Sequence, residues 1–197
     1  AWQLVRRADL GIRTAATIDS LERRFDYPMF VKPAGTGSSV GVSKAADRAA
    51  LEKAIRSAAV YDDKVLVEEF IHGREIEVAV LGNSNPMASG CGEIDSGAEF
   101  YDYEAKYISD SSNLYIPARI DDAVAEQVRE AAVKIYEALG CCGLSRVDFF
   151  VKKDGEVVFN EINTFPGMTE KSLYPKLTEK MGYKSGEFIN ELISSAL

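Results

Sequence analysis

Arg146 and Asp148 in SRVDFFVKK, and Glu161 and Asn163 in FNEIN, place a guanidinium, two carboxylates and an amide within one short stretch. Asp154-Gly155 between the two apolar runs is a strong hairpin signal. A two-residue turn there fixes the pairing: Lys153 faces Glu156, Phe150 faces Phe159, Asp148 faces Glu161 and Arg146 faces Asn163. Alternation then puts Arg146, Asp148, Glu161 and Asn163 on one face of the ribbon. Two carboxylates directly opposite each other repel. A hard divalent cation between them removes the conflict, and Mg²⁺ favours an all-oxygen site completed by phosphates. A solvated surface hairpin, or one acid paired with Arg146, accounts for the same residues equally well. An arginine fork here could also serve a developing oxyanion or a transferring phosphoryl group.

Four further stretches carry candidate chemistry. In KPAGTGSSVG, three glycines and three hydroxyls within seven positions let backbone N–H groups approach an anion closely. Lys32 stands just before them, where its ammonium could bind phosphate oxygens as a point charge. The stretch is neither the Walker pattern nor the dinucleotide fingerprint, and a flexible hairpin loop is the simpler account of a Gly/Ser run. VLVEEFIHGRE is a hydrophobic strand that ends in two acids and restarts after a glycine. Exposed backbone at such a strand end can pair with an adenine edge between apolar walls. Glu68 could accept from an exocyclic amine and Glu75 from ribose hydroxyls; ordinary solvated strand ends explain the acids too. Lys106 and Tyr107 lie in a long polar, aromatic loop that could close as a lid over phosphates, or carry a merely solvated lysine. In FPGMT, the glycine after proline offers a free N–H, and Thr169 and Ser172 could hold a carboxylate, or Ser172 could simply cap the next helix.

The elements that must position these groups alternate between strand and helix. Residues 3–10 have helical spacing, with Gly11 as a C-cap, and Leu10, Ile12, Ala15, Ala16 and Ile18 lead into a strand or loop. Strands are expected over 29–33, 64–71 and 75–81, with a turn at His72-Gly73. Asp47 caps a helix over 48–60. Asp121 or Asp122 starts a helix reaching Leu139, and Ser185 caps a last helix over 186–196. The pattern is α+β with mainly antiparallel sheets.

The chain has 197 residues, 46% hydrophobic, with net charge −8. It can bury a sizeable core, as one domain or two small ones. The acidic balance argues against nucleic acid and anionic membranes as partners, and no apolar run is long enough to cross a bilayer. Three cysteines, two of them adjacent, do not suggest a disulfide framework. With His72 the lone histidine, they are read as reduced thiols in a cytoplasmic protein.

Taken in order, KPAGTGSSVG, VEEFIHGREIEVAVLG, EFYDYEAKY, SRVDFF and NEINTFPGMTEKSLYP resemble the ATP-grasp part of the D-alanine–D-alanine ligase family, including the ligases of vancomycin resistance. The resemblance runs from about Trp2 to the C-terminus. It implies two α+β subdomains, 1–70 and 71–197, gripping ATP between them, with two Mg²⁺ (or Mn²⁺) on the larger. By resemblance, Lys32, Ser38 and Lys106 meet ATP phosphates. Glu68, the backbone of Glu69 and Ile71, and Glu75 contact adenine and ribose, while Phe70, Phe100 and Phe150 line the adenine pocket. Asp148, Glu161 and Asn163 match magnesium ligands. Arg146 and the Gly167 amide match groups that stabilise oxyanions, and Ser39, Tyr101, Tyr107 and Ser172 match groups that orient the amino acids or hold the lid.

The implied reaction joins two D-alanines through an acyl phosphate, for peptidoglycan precursor and cell-wall synthesis. D-serine as second substrate stays open, as do another ATP-grasp carboxylate–amine ligase and a non-catalytic nucleotide-binding or dimerisation module. For that last class Arg146→Ala should leave function intact. The resemblance also suggests a homodimer. The family has an N-terminal domain that supplies further contacts and is not found in this sequence, so the chain alone is expected to bind Mg·ATP but ligate poorly. Robust D-alanine-dependent ADP release by it would refute that expectation. Glu170-Lys171 stands where the family often has Ser-His.

Overall fold

The computed structural model describes residues 1–11, 13–95 and 113–196. The chain divides into two compact units, the first Ala1–Ile71 and the second beginning at His72.

The first unit is a four-stranded antiparallel sheet in the order β1-β4-β2-β3. Its strands are β1 (Trp2–Arg6), β2 (Met29–Pro33), β3 (Ser43–Ala45) and β4 (Lys64–Glu69). Helices α1 (Thr14–Glu22) and α2 (Arg48–Tyr61) supply its helical layer. Val5, Met29, Val31, Val65 and Val67 alternate onto the face that packs with Ile18, Leu21, Leu51 and Ile55. The Asp47 carboxylate accepts from the Ala50 N–H at 2.8 Å, capping α2 as its sequence predicts.

The opening segment departs from its helical spacing. Trp2–Arg6 is an edge strand paired with β4, Trp2 opposite Glu68 and Arg6 opposite Lys64. A short 3₁₀ turn, Arg7–Asp9, follows, and the helix forms later, at Thr14. Pairing with a strand some sixty residues away overrides a weak local period, and Val5 rather than Leu4 is the buried residue. Of the residues expected to lead into a strand or loop, Ala15, Ala16 and Ile18 are helical, and Ile12 lies outside the described residues.

The second unit holds a six-stranded antiparallel sheet, β10-β9-β5-β7-β8 with β6 paired to β5. Its strands are β5 (Gly73–Leu81), β6 (Met87–Ala88), β7 (Gly92–Asp95), β8 (Asn113–Tyr115), β9 (Leu144–Lys152) and β10 (Val157–Asn163). Helix α3 (Asp122–Ala138) packs on Ile76, Val78, Val80, Val147, Phe149 and Val151 through Val128, Ala132 and Tyr136. On the opposite face, Ala79 and Leu81 meet Leu173, Tyr174 and Leu177 of α4 (Leu173–Lys180) and Phe188 of α5 (Ser185–Ala196). The two buried tyrosines keep their hydroxyls satisfied: Tyr136 donates to the Gly82 carbonyl at 2.7 Å and Tyr174 to that of Val80 at 3.2 Å. The three cysteines are free thiols. Among the described residues, no helix is long and apolar enough to cross a membrane.

Glu93 in β7 is only 2% exposed and takes hydrogen bonds from Arg119 and Arg74. Burial by itself would raise its pKa, but the Arg119 and Arg74 bonds outweigh it and hold the carboxyl down to about 2. The folded value is depressed, so the stabilisation is complete above the ordinary carboxylate pKa and is lost as pH falls toward 2. Thermal unfolding between pH 6 and pH 2.5 should show about 2.5 kcal/mol of acid-labile stability from this group. Glu93→Gln should flatten that part of the profile, and an unchanged profile would contradict the assignment.

Candidate functional site

The hairpin between β9 and β10 is built differently from its simplest reading and reaches the same pairing. The loop has three residues rather than two. The Lys152 N–H donates to the Glu156 carbonyl at 2.9 Å and the Gly155 N–H to the Lys152 carbonyl at 3.0 Å, with Gly155 at φ 86°. Near the turn the pairing is therefore offset by one, Val158 opposite Phe150 and Phe159 opposite Phe149, so Phe150 does not face Phe159. A bulge at Asn160 removes the offset. Beyond it Glu161 lies opposite Asp148 and Asn163 opposite Arg146. The bulge also reconciles two demands on β10. Val157 and Ile162, of opposite parity, both pack on the α3 side, while Glu161 and Asn163 keep to the other.

The face bearing these groups is charged at its centre. Arg146 donates from Nε and Nη2 to both oxygens of Asp148, at 2.8 and 2.7 Å. Its Nε also lies 3.3 Å from Oε2 of Glu77, which stands opposite Asp148 on β5. The side chains of Arg146, Asp148 and Glu77 are 14%, 11% and 9% exposed. Burial works against the guanidinium charge, but Asp148 and Glu77 outweigh it and hold Arg146 above its ordinary pKa. Glu161 is exposed and Asn163 half-buried. The Asn163 Oδ1 accepts from the Phe165 N–H at 3.1 Å, shaping the turn that follows. Phe150 and Glu75 face each other on the same side of the sheet.

Asp148, Glu161 and Asn163 form an all-oxygen donor set that fits magnesium in kind. Among the described residues no cluster of three His, Cys, Asp or Glu side chains offers a metal site, so other donors would have to complete the shell. The Arg146 fork occupies both Asp148 oxygens and would have to yield one to a cation.

In the turn after β10, the Thr169 N–H donates to Ser172 Oγ at 3.2 Å, and the two hydroxyls are 3.0 Å apart. Ser172 thus closes the turn and does not cap α4 with its own side chain. Gly167 is exposed, and a Cβ there would meet Ser172 Oγ at 2.9 Å.

In the first unit, the sheet face opposite the one that packs on α1 and α2 carries Phe30, Lys32, Lys44 and Glu68. Lys32 Nζ pairs with Glu68 at 2.9 Å, with side chains 17% and 25% exposed. Phe30 and Phe70 stack at 5.6 Å, and Lys44 Nζ lies 4.5 Å from the Phe70 ring centroid. Glu69 is exposed and Ile71 half-buried.

The Gly/Ser loop spends much of its polarity on itself. The Gly35 N–H donates to Asp62 at 2.6 Å, and the Thr36 hydroxyl donates to the Val40 carbonyl at 2.9 Å. Ser38 and Ser39 sit at φ 54° and 57°, strained for residues with a Cβ. Gly41 is at φ 78°, and a Cβ there would lie 2.7 Å from the Tyr61 ring and 2.8 Å from Pro33. Gly41→Ala should therefore cost about 2–3 kcal/mol in chemical denaturation. Gly37→Ala meets open space and should cost less than half of that.

Phe100, Tyr101, Lys106 and Tyr107 lie outside the described residues. Sequence reasoning missed Glu77, Phe30 and Lys44. A period-2 reading from Glu75 and from Lys32 would have found the first two; Lys44 needed the pairing of β3 with β2.

A family model described as the D-ala D-ala ligase C-terminus matches residues 1–194. The curated D-alanine--D-alanine ligase of Acetivibrio thermocellus is 55% identical over 91% of this chain and 48% of the relative. That of Pelodictyon phaeoclathratiforme is 52% identical over 96% of this chain and 57% of the relative. Among solved structures, the VanG D-Ala:D-Ser ligase from Enterococcus faecalis matches with TM-score 0.87 and 39% identity, over 100% of this chain and 56% of that one. The chain spans about half the length of the curated relatives it matches.

Proposed function

Because the chain belongs to the D-alanine–D-alanine ligase family, we propose that it is the Mg·ATP-binding, ATP-grasp part of an enzyme that joins two D-alanines for peptidoglycan precursor synthesis. The observation that carries the reading is the cross-strand placement of Asp148 opposite Glu161 and Arg146 opposite Asn163 on one face. Bound magnesium would neutralise phosphate charge, and Asp148, Glu161 and Asn163 would hold it.

The chain's own groups position and stabilise. Lys32 would turn from Glu68 toward phosphate oxygens, with Ser38 beside them, leaving Glu68 to accept from the adenine amine. Glu69 and Ile71 would offer backbone to the base, Glu75 would accept from ribose, and Phe70, Phe150 and Phe100 would wall the ring. Lys106 would add positive charge from the lid. The first D-alanine carboxylate would take the γ-phosphoryl group of ATP as ADP leaves, and the amine of the second would then attack the acyl carbon, expelling phosphate and giving up a proton. Arg146 and the Gly167 N–H would stabilise the oxyanions of both steps, while Ser39, Tyr101, Tyr107 and Ser172 orient the amino acids or secure the lid. We place the reaction in the cytoplasm and expect a homodimer.

Calorimetry with ATP tests the nucleotide half of the proposal. Binding should require Mg²⁺ or Mn²⁺, and Lys32→Ala should weaken it about tenfold or more. Binding that ignores the divalent ion would overturn the reading. ADP release over a panel of D-amino acids would then decide between D-alanine and D-serine as the second substrate.

A further inference from the structure

We propose that Glu77 is a positioning residue that retains Arg146 when Asp148 turns to a cation. The inference rests on the metal reading of Asp148 and goes beyond it.

Arg146 faces two buried carboxylates. It is clamped to Asp148 through two hydrogen bonds, and its Nε is 3.3 Å from Glu77. Glu77 lies in β5 between Ile76 and Val78, whose side chains go to the apolar core on the other face. An acid in the middle of such a strand loses much of its hydration and needs a compensating charge. Its strand partner is Asp148, while Arg146 stands opposite Ala79, too small to reach it. The guanidinium is a cation both acids share.

The two acids differ in their strand neighbours. Asp148 lies opposite Glu161 on β10, with Asn163 two residues further along that strand, whereas Glu77, on the inner strand, does not pair with β10. A cation held by Asp148 and Glu161 would draw Asp148 charge away from Arg146 and repel the guanidinium. With Glu77 in place, the guanidinium keeps an anion and stays on this face. Without Glu77, Arg146 has Asp148 as its close buried carboxylate and competes with the cation for it.

The test is Mn²⁺ affinity in the presence of saturating ADP, read from the free-ion electron paramagnetic resonance signal, which needs no turnover. Glu77→Gln keeps the shape and removes the charge. It should weaken Mn²⁺ binding about tenfold, within the range over which neighbouring charges couple. Adding Arg146→Met to Glu77→Gln removes the competitor and should restore the affinity to within about threefold of the starting chain. Glu77→Asp, which keeps the charge, should stay close to the starting value. The proposal is overturned if Glu77→Gln leaves Mn²⁺ affinity unchanged, or if its loss persists with Arg146→Met. Should the double variant fail to fold, a loss in Glu77→Asp as large as in Glu77→Gln would overturn it. If neutralising Asp148 and Glu161 leaves Mn²⁺ affinity intact, the metal reading itself fails, a result separable from all of these.

Discussion

Asp148→Asn combined with Glu161→Gln should lower Mg²⁺-dependent ATP affinity by more than about 100-fold, since even the outer-shell partners of a metal are worth roughly 10–100-fold. The fold should survive. Glu161 is exposed, so neutralising it removes no buried charge. Asp148 is buried, yet its loss leaves Arg146 beside Glu77, and the new amide oxygen can still accept from the guanidinium. Titration of the variant with ATP, with and without Mg²⁺, reads the first claim; circular dichroism and the unfolding midpoint read the second. Retained Mg²⁺-dependent affinity in a folded variant would remove the hairpin from the metal site.

Arg146→Ala should act in the opposite sense on the fold. It removes the guanidinium that faces both Asp148 and Glu77, and so leaves two buried carboxylates close together. Breaking a buried pair from one side costs roughly 3–5 kcal/mol, so the metal-free chain should unfold at clearly lower denaturant. Millimolar Mg²⁺ with ADP should recover part of that loss, because a ligand that binds only the folded state stabilises it. If stability is unchanged, the guanidinium does not compensate these acids. Where ADP release can be followed, the same variant should lose about 10²–10³-fold in rate if Arg146 stabilises an oxyanion.

Much of this molecule is legible in its sequence. Strand alternation and the Asp154-Gly155 turn placed Asp148 against Glu161, and Asp47 announced the start of α2. Those signals are local: a side-chain period, a capping oxygen, a residue suited to positive φ. Phe150 against Phe159 was misjudged because the true loop takes one more residue. The Asp148–Glu161 pairing came out right because the Asn160 bulge cancels that residue; the change of apolar parity between Val157 and Ile162 is the bulge's local trace.

The sequence by itself determined the chemistry available: an acid pair with a guanidinium at strand spacing, a lysine before a Gly/Ser loop, and an α+β alternation of elements. Only the tertiary structure decided how those charges are shared. Trp2–Arg6 became a strand because β4, far along the chain, supplies its hydrogen bonds. Lys32 and Glu68 met because β2 and β4 are neighbours, and Lys44 came over Phe70 through β3. Above all, β5 laid Glu77 opposite Asp148 and gave Arg146 a second anion. Pairing between distant strands sets which charges share a low-dielectric face, and electrostatic energy depends on that separation and burial rather than on distance along the chain.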